Sequence, residues 1–231
     1  DNWNSLGKQF AKYCKVHLID LRNHGRSPHS EDFTYKVMCE DVLEYMKDNN
    51  IVDPIILGHS LGGKVAMKFA FTYPKKIEKL IVVDIAPREY NTDFHKNLLA
   101  TLYKLPLVDF DKREEIDKLL SYSFEDKGMR LFLLKNLYRN VKKEFAWRFN
   151  IESLLDTIEN IQEADFIIGN CAIPTHFIRG GNSDYINSAD ELIIKKYFTD
   201  SSICTINDAG HWLHAEKPKR FYNEVMGFCL M

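Results

Sequence analysis

Ser60 lies inside the run Gly58-His59-Ser60-Leu61-Gly62-Gly63-Lys64, a G-x-S-x-G pattern. A serine hydroxyl is a weak nucleophile at neutral pH. It needs a base to take its proton and a carboxylate to orient that base. His211 is the natural base, because it follows Gly210 in the turn-rich run Asn207-Asp208-Ala209-Gly210-His211, behind the last apolar strand. His59 is expected to fill space beside the elbow strand, His24 to fix a turn, and His214 to cap or pack on the closing helix. Four carboxylates compete for the third place. Asp84 ends the strand after the elbow helix, and Asp184 follows the next strand along. Asp208 reads as an exposed turn residue, and Asp20 as the anchor of the Arg22–Ser27 turn. Position alone does not separate Asp84 from Asp184.

The elements around Ser60 decide whether it is a nucleophile or only a helix cap. Pro54-Ile55-Ile56-Leu57 reads as a short buried strand and Lys64–Tyr73 as a helix stopped by Pro74. Strand, G-x-S-x-G and helix together make a nucleophile elbow. The turn is expected to strain Ser60 and expose its Oγ. Gly58 and Gly62 would let backbone pass on either side. The N–H of Leu61, at a helix N-terminus, would face a developing oxyanion.

The rest of the chain alternates in the same way. A short helix is expected over residues 5–12, capped by Asn4, then a buried strand over Lys15–Leu21. A helix follows over Tyr35–Asn49, then the elbow strand and helix, and a strand over Leu80–Ile85. Later strands are expected over Thr175–Ile178 and Ser202–Ile206, with helices over Ala189–Tyr197 and Lys217–Leu230. Helices between apolar strands predict an α/β fold with a mostly parallel sheet covered on both faces. Between Glu89 and Asp165 only helical patterns are read. The expected organisation is therefore a core of residues 1–88 and 166–231, with 89–165 a helical cap insertion. Phe94, Leu98, Phe132 and Trp147 are candidate pocket lining in that cap, and His59 and Trp212 are candidate substrate contacts from the core.

Composition narrows the class. The 231 residues carry a net charge of −2, which speaks against nucleic acid as the main partner. The five cysteines are scattered and form no C-x-x-C, so no disulfide framework or zinc site is expected. A reducing compartment fits, either the cytoplasm or the mitochondrial matrix of a eukaryotic cell. No apolar run approaches the ~20 residues of a membrane span. The polar start Asp1-Asn2-Trp3-Asn4 reads as the middle of a domain, without a signal peptide.

Five runs in order carry a resemblance. They are Asp20–Pro28, Gly58–Lys64, Val83–Pro87, Gly180–Ser183 and Ala209–Pro218, with Trp147-Arg148-Phe149-Asn150 in the insertion. Together they resemble the YbfF-type esterases of the α/β-hydrolase superfamily, a group that includes a mitochondrial abhydrolase-domain protein of animals. The resemblance covers nearly the whole chain. It implies Ser60 as nucleophile, His211 as base and Asp84 as acid. Ser183 would be an accessory hydrogen-bonding member at the usual acid position, with Asp184 left as an alternative acid outside that pattern. It implies a small acyl ester or thioester substrate and no metal or organic cofactor. The family also carries a His-Gly pair just before the segment matched by Asp1-Asn2-Trp3, which supplies a second oxyanion donor. This chain shows neither the pair nor the first strands, so it is expected to be a fragment of a longer product. The alternatives are another reaction on the same fold, such as C–C bond hydrolysis, and a non-catalytic binding protein. A dehalogenase would need an aspartate where Ser60 stands.

Overall fold

The structure is a computed structural model describing residues 2–91, 93–161 and 169–231. Its strands are β1 (Ile55–His59), β2 (Lys79–Val83), β3 (Leu137–Arg139), β4 (Phe145–Trp147), β5 (Thr175–Gly180) and β6 (Ser201–Ile206). Its helices are α1 (Asn4–Phe10), α2 (Tyr35–Asp48), α3 (Leu61–Thr72), α4 (Asp93–Tyr103), α5 (Arg113–Ser121), α6 (Lys127–Lys135), α7 (Ile151–Asp156), α8 (Ser188–Tyr197), α9 (Leu213–Glu216) and α10 (Pro218–Leu230). The chain forms two compact units. One joins Asp1–Phe33 to Asn91–Glu159, and the other joins Thr34–Tyr90 to Asn160–Met231.

The second unit holds a parallel sheet in the order β1-β2-β5-β6. Leu80, Ile81, Val82 and Val83 of β2 are wholly buried, as expected for a central strand covered on both faces. Each such side chain stabilises the fold by about 1.5–3 kcal/mol. Helix α3 packs on β1 and β2 through buried Val65, Ala66, Met67, Phe69 and Ala70. Helix α2 is capped by Thr34, whose hydroxyl accepts from the Val37 N–H, and buries Tyr35, Met38, Cys39 and Met46 at helical spacing. The parallel register aligns the carboxyl ends of β1, β2, β5 and β6, where the chain's polar turns begin.

The first unit contains helices α4 to α7 and a two-stranded antiparallel hairpin of β3 and β4, pairing Leu137 with Trp147. No strand was expected here. Its five-residue turn lacks the glycine that usually marks one. Instead the Asn140 side chain accepts from the N–H groups of Lys142 and Glu144, and Lys143 takes the left-handed φ of 65°. Asn23, wholly buried, ties Ser30, Asn150 and Ser153 together.

Two further expectations need correction. Residues 15–21 form no strand, and Leu18 and Ile19 are 52% and 44% exposed. An apolar run becomes a strand only when a neighbour takes its backbone hydrogen bonds, and no described segment pairs with this one. Helix α1 begins at Asn4 itself, after Trp3 and without a side-chain cap. Among the described residues no helix is long and apolar enough to cross a membrane.

Candidate active site

Ser60 sits between the last residue of β1 and the first of α3, at φ +52° and ψ −118°. Few non-glycine residues adopt a positive φ, and holding one there costs of order 1–3 kcal/mol. The surroundings fix it: the Ser60 N–H donates to the Val83 carbonyl at 3.0 Å, and its carbonyl accepts from Lys64 at 3.1 Å. The Ser60 side chain does not cap α3, so the helix-cap alternative fails on geometry. Gly58 meets the steric demand, since a Cβ there would lie 2.1 Å from the Gly62 carbonyl oxygen. The second glycine the turn requires is Gly63, where a Cβ would meet Ile85 at 2.5 Å. A Cβ on Gly62 would meet nothing. Leu61 opens α3, so its N–H belongs to the first turn, where intrahelical acceptors are lacking.

Asp84 follows β2 immediately and is wholly buried, with its own positive φ of 50°. Three donors converge on its carboxylate. Oδ1 accepts from the Gly180 N–H at 2.9 Å. Oδ2 accepts from the Ser183 hydroxyl and, at 2.8 Å, from His211 Nδ1. A buried carboxylate is tolerated only when its lone pairs are filled in this way. With Nδ1 donating to Asp84, the Nε2 of a neutral His211 is an acceptor.

The His211 loop is laced to both neighbouring loops. Gly180 lets the backbones close, since a Cβ there would lie 2.3 Å from the Gly210 carbonyl oxygen. The N–H groups of Gly181 and Asn182 donate to the Ile206 and Ala209 carbonyls, each at 2.9 Å. Glu216 of α9 accepts from the Gly210 N–H at 2.8 Å. His59 Nε2 donates to the His211 carbonyl at 2.9 Å, and its ring lies among those of His211, Trp212 and His214. Burial, with His211 and His214 nearby, holds the His59 pKa well below its usual value. It is therefore a neutral strut. The residue before Ser60 thus grips His211, while Ser60 itself grips the residue before Asp84.

The other candidates fall in different places. Asp184 is exposed, as is Asp208. Asp20 accepts from the Arg26 N–H at 3.0 Å and anchors its turn, and His24 Nδ1 donates to the Arg22 carbonyl at 3.0 Å. His214 is buried beside Phe221 of α10. Phe94, Leu98, Phe132 and Trp147 all belong to the first compact unit. There the Trp147 indole N–H donates to the Leu102 carbonyl at 3.3 Å and the ring stacks on Phe149. Lys64 is buried and donates to the Arg88 carbonyl. Burial, then the charge of Arg88, brings its amine down to about 7.

Sequence reasoning passed over Tyr185 and Tyr90. The Tyr185 ring lies flat on His211, with centroids 4.0 Å apart and planes 21° apart. The Tyr90 hydroxyl accepts from the Ala86 N–H at 2.7 Å and donates to the Tyr185 carbonyl at 2.5 Å. The available signal was an aromatic two residues after Ser183.

A parallel sheet, a strained serine in a strand-to-helix turn and an Asp–His pair on the following loops define one class. Residues 1–218 match the family described as alpha/beta hydrolase fold, and the chain belongs to that family. Its relatives include a Mus musculus protein named sn-1-specific diacylglycerol lipase ABHD11, 34% identical over 236 residues that cover 98% of this chain and 76% of that protein. Esterase YbfF of Escherichia coli (strain K12) is 30% identical over 220 residues, covering 94% of this chain and 84% of that one. A solved structure described as a marine microorganism esterase superposes with a TM-score of 0.93 at 41% identity, covering 98% of this chain and 89% of that chain. The chain is thus an α/β-hydrolase of the esterase/lipase type, and the resemblance to the YbfF-type esterases holds.

Proposed function

We propose that this chain is a serine hydrolase of the carboxylic-ester class that cleaves acyl esters or thioesters through an acyl-enzyme on Ser60. The observation that carries this reading is the 2.8 Å contact between His211 Nδ1 and the buried Asp84 carboxylate. That contact fixes the tautomer a base needs. Ser60 Oγ attacks the acyl carbonyl while His211 Nε2 takes its proton. The Leu61 N–H stabilises the oxyanion. Collapse expels the alcohol or thiol, which leaves with the proton from His211. Water then attacks the acyl group, again giving a proton to His211, and the carboxylic acid departs as Ser60 is restored. Ser183 supports Asp84 by its hydrogen bond, and exposed Asp184 takes no part.

The mouse relative's name points to lipid esters as the substrate class to try first. Segment 89–165 is proposed as a helical insertion in the hydrolase core. Its chain connection supports this, since it departs a few residues after Asp84. The free cysteines fit a reducing compartment such as the cytoplasm or mitochondrial matrix. A fluorophosphonate probe tests the nucleophile. Wild type should label and Ser60→Ala should not, with p-nitrophenyl ester hydrolysis lost in parallel. A folded wild type that neither labels nor hydrolyses any of p-nitrophenyl esters, diacylglycerol or acyl-CoA would refute the proposal.

A further inference from the structure

The ring that covers His211 has no role in the mechanism above. Tyr185 lies in the loop after β5, two residues beyond Ser183, and stacks on the imidazole at 4.0 Å and 21°. A tilt this small puts the electron-rich face of the phenol against the imidazole plane. Such a face favours a cation over a neutral ring. His211 becomes a cation at each proton transfer in the proposed reaction, so the stacking is stronger in the transition state than in the resting state.

The backbone of Tyr185 is held in turn. The Tyr90 hydroxyl bridges the Ala86 N–H, two residues after Asp84, and the Tyr185 carbonyl. The Arg88 guanidinium lies 3.9 Å over the Tyr90 ring and pairs with buried Asp190 at 2.7 Å. One hydroxyl therefore sets the position of the Tyr185 backbone against the loop that carries Asp84. Burial, and then Asp84, push the Tyr185 phenol above its usual value, so the stacked ring is neutral.

We infer that Tyr185 is a positioning residue for His211, its ring face stabilising the imidazolium and keeping Nδ1 turned to Asp84. This rests on the proposed role of His211 as base. The groups facing His211 are Asp84 from the loop after β2, His59 from the end of β1, Tyr185 and Trp212. Glu216 binds the adjacent Gly210 N–H.

The test is the pH profile of kcat/KM on a p-nitrophenyl ester for wild type, Tyr185→Phe and Tyr185→Leu. Leucine keeps apolar cover over the imidazole and removes only the aromatic face. The acid limb of Tyr185→Leu should move down by about half a pH unit, the equivalent of a weak cation–π contact. Its kcat should fall several-fold with KM little changed. Tyr185→Phe should keep the wild-type limb and rate to within about twofold. An unmoved limb in folded Tyr185→Leu, whether or not the rate falls, would overturn the inference while leaving the nucleophile assignment intact. So would a limb shifted equally in Tyr185→Phe. A wild type without Ser60-dependent activity would instead remove the reading beneath it.

Discussion

At the scale of single residues, two aspartates at the ends of neighbouring strands have opposite surroundings. Asp84 is wholly buried and receives three hydrogen bonds, one of them from His211, while Asp184 is exposed. An amide at position 84 would keep the shape and lose the charge that favours the imidazolium and the correct tautomer. Asp84→Asn should therefore lower kcat by about three to four orders of magnitude. Asp184→Asn should change it by no more than about twofold. Steady-state kinetics on one ester substrate decide the matter, and the reverse ranking would move the acid to Asp184. The His59 strut adds a second constraint, because its bond to the His211 carbonyl holds that residue by its backbone while Asp84 holds it by its ring.

At the scale of elements, the elbow works because β1 and α3 meet at a distance that no side chain allows. The crowding is uneven along the motif. A methyl on Gly58 would collide with backbone of the first turn of α3, which cannot swing aside, whereas one on Gly62 would project into open space. Gly58→Ala should destabilise the fold by about 1–3 kcal/mol or prevent its formation. Gly62→Ala should be neutral or stabilise by up to about 1 kcal/mol, since alanine is the better helix former. Urea midpoints of the two variants compare these directly. Equal losses would mean that Gly62 is constrained by something other than packing.

At the scale of the whole molecule, three histidines lose enough solvent on folding to be held below their usual pKa. Burial lowers the pKa of His24, of His59 and of His176, with Glu224 partly opposing it at His176. The unfolded chain takes up protons near pH 6.5 that the folded chain refuses. Stability is thus complete above about pH 6.5 and is lost as pH falls toward each folded value. The slope is up to about 1.4 kcal/mol per pH unit for each histidine. The urea midpoint should fall between pH 7 and pH 5, and His176→Gln should make that fall shallower. A midpoint independent of pH over this range would contradict the lowered pKa of these rings.

The amino-acid sequence by itself determined the elbow, the order of strands and helices around it, and the loop that carries His211. Those features are written in short windows: apolar runs of strand length, helical periodicity, and glycine where a turn must close. Recurring runs such as Gly58–Lys64 and Ala209–Pro218 also carried the likeness to a family of esterases. Which aspartate touches His211 was undecided by pattern, and only the likeness favoured Asp84. The folded chain decides it, because contact depends on where three loops converge. Gly63 rather than Gly62 as the second crowded glycine, and the Tyr185 ring on His211, arise from the same convergence. The segment 15–21 has the apolar pattern of a strand without the pairing of one, and the β3–β4 hairpin forms on an asparagine turn that carries no glycine mark. A strand is a relation between two segments, and the Asp84–His211 contact is a relation between loops. Local sequence encodes each partner, but only the tertiary structure brings them within bonding distance.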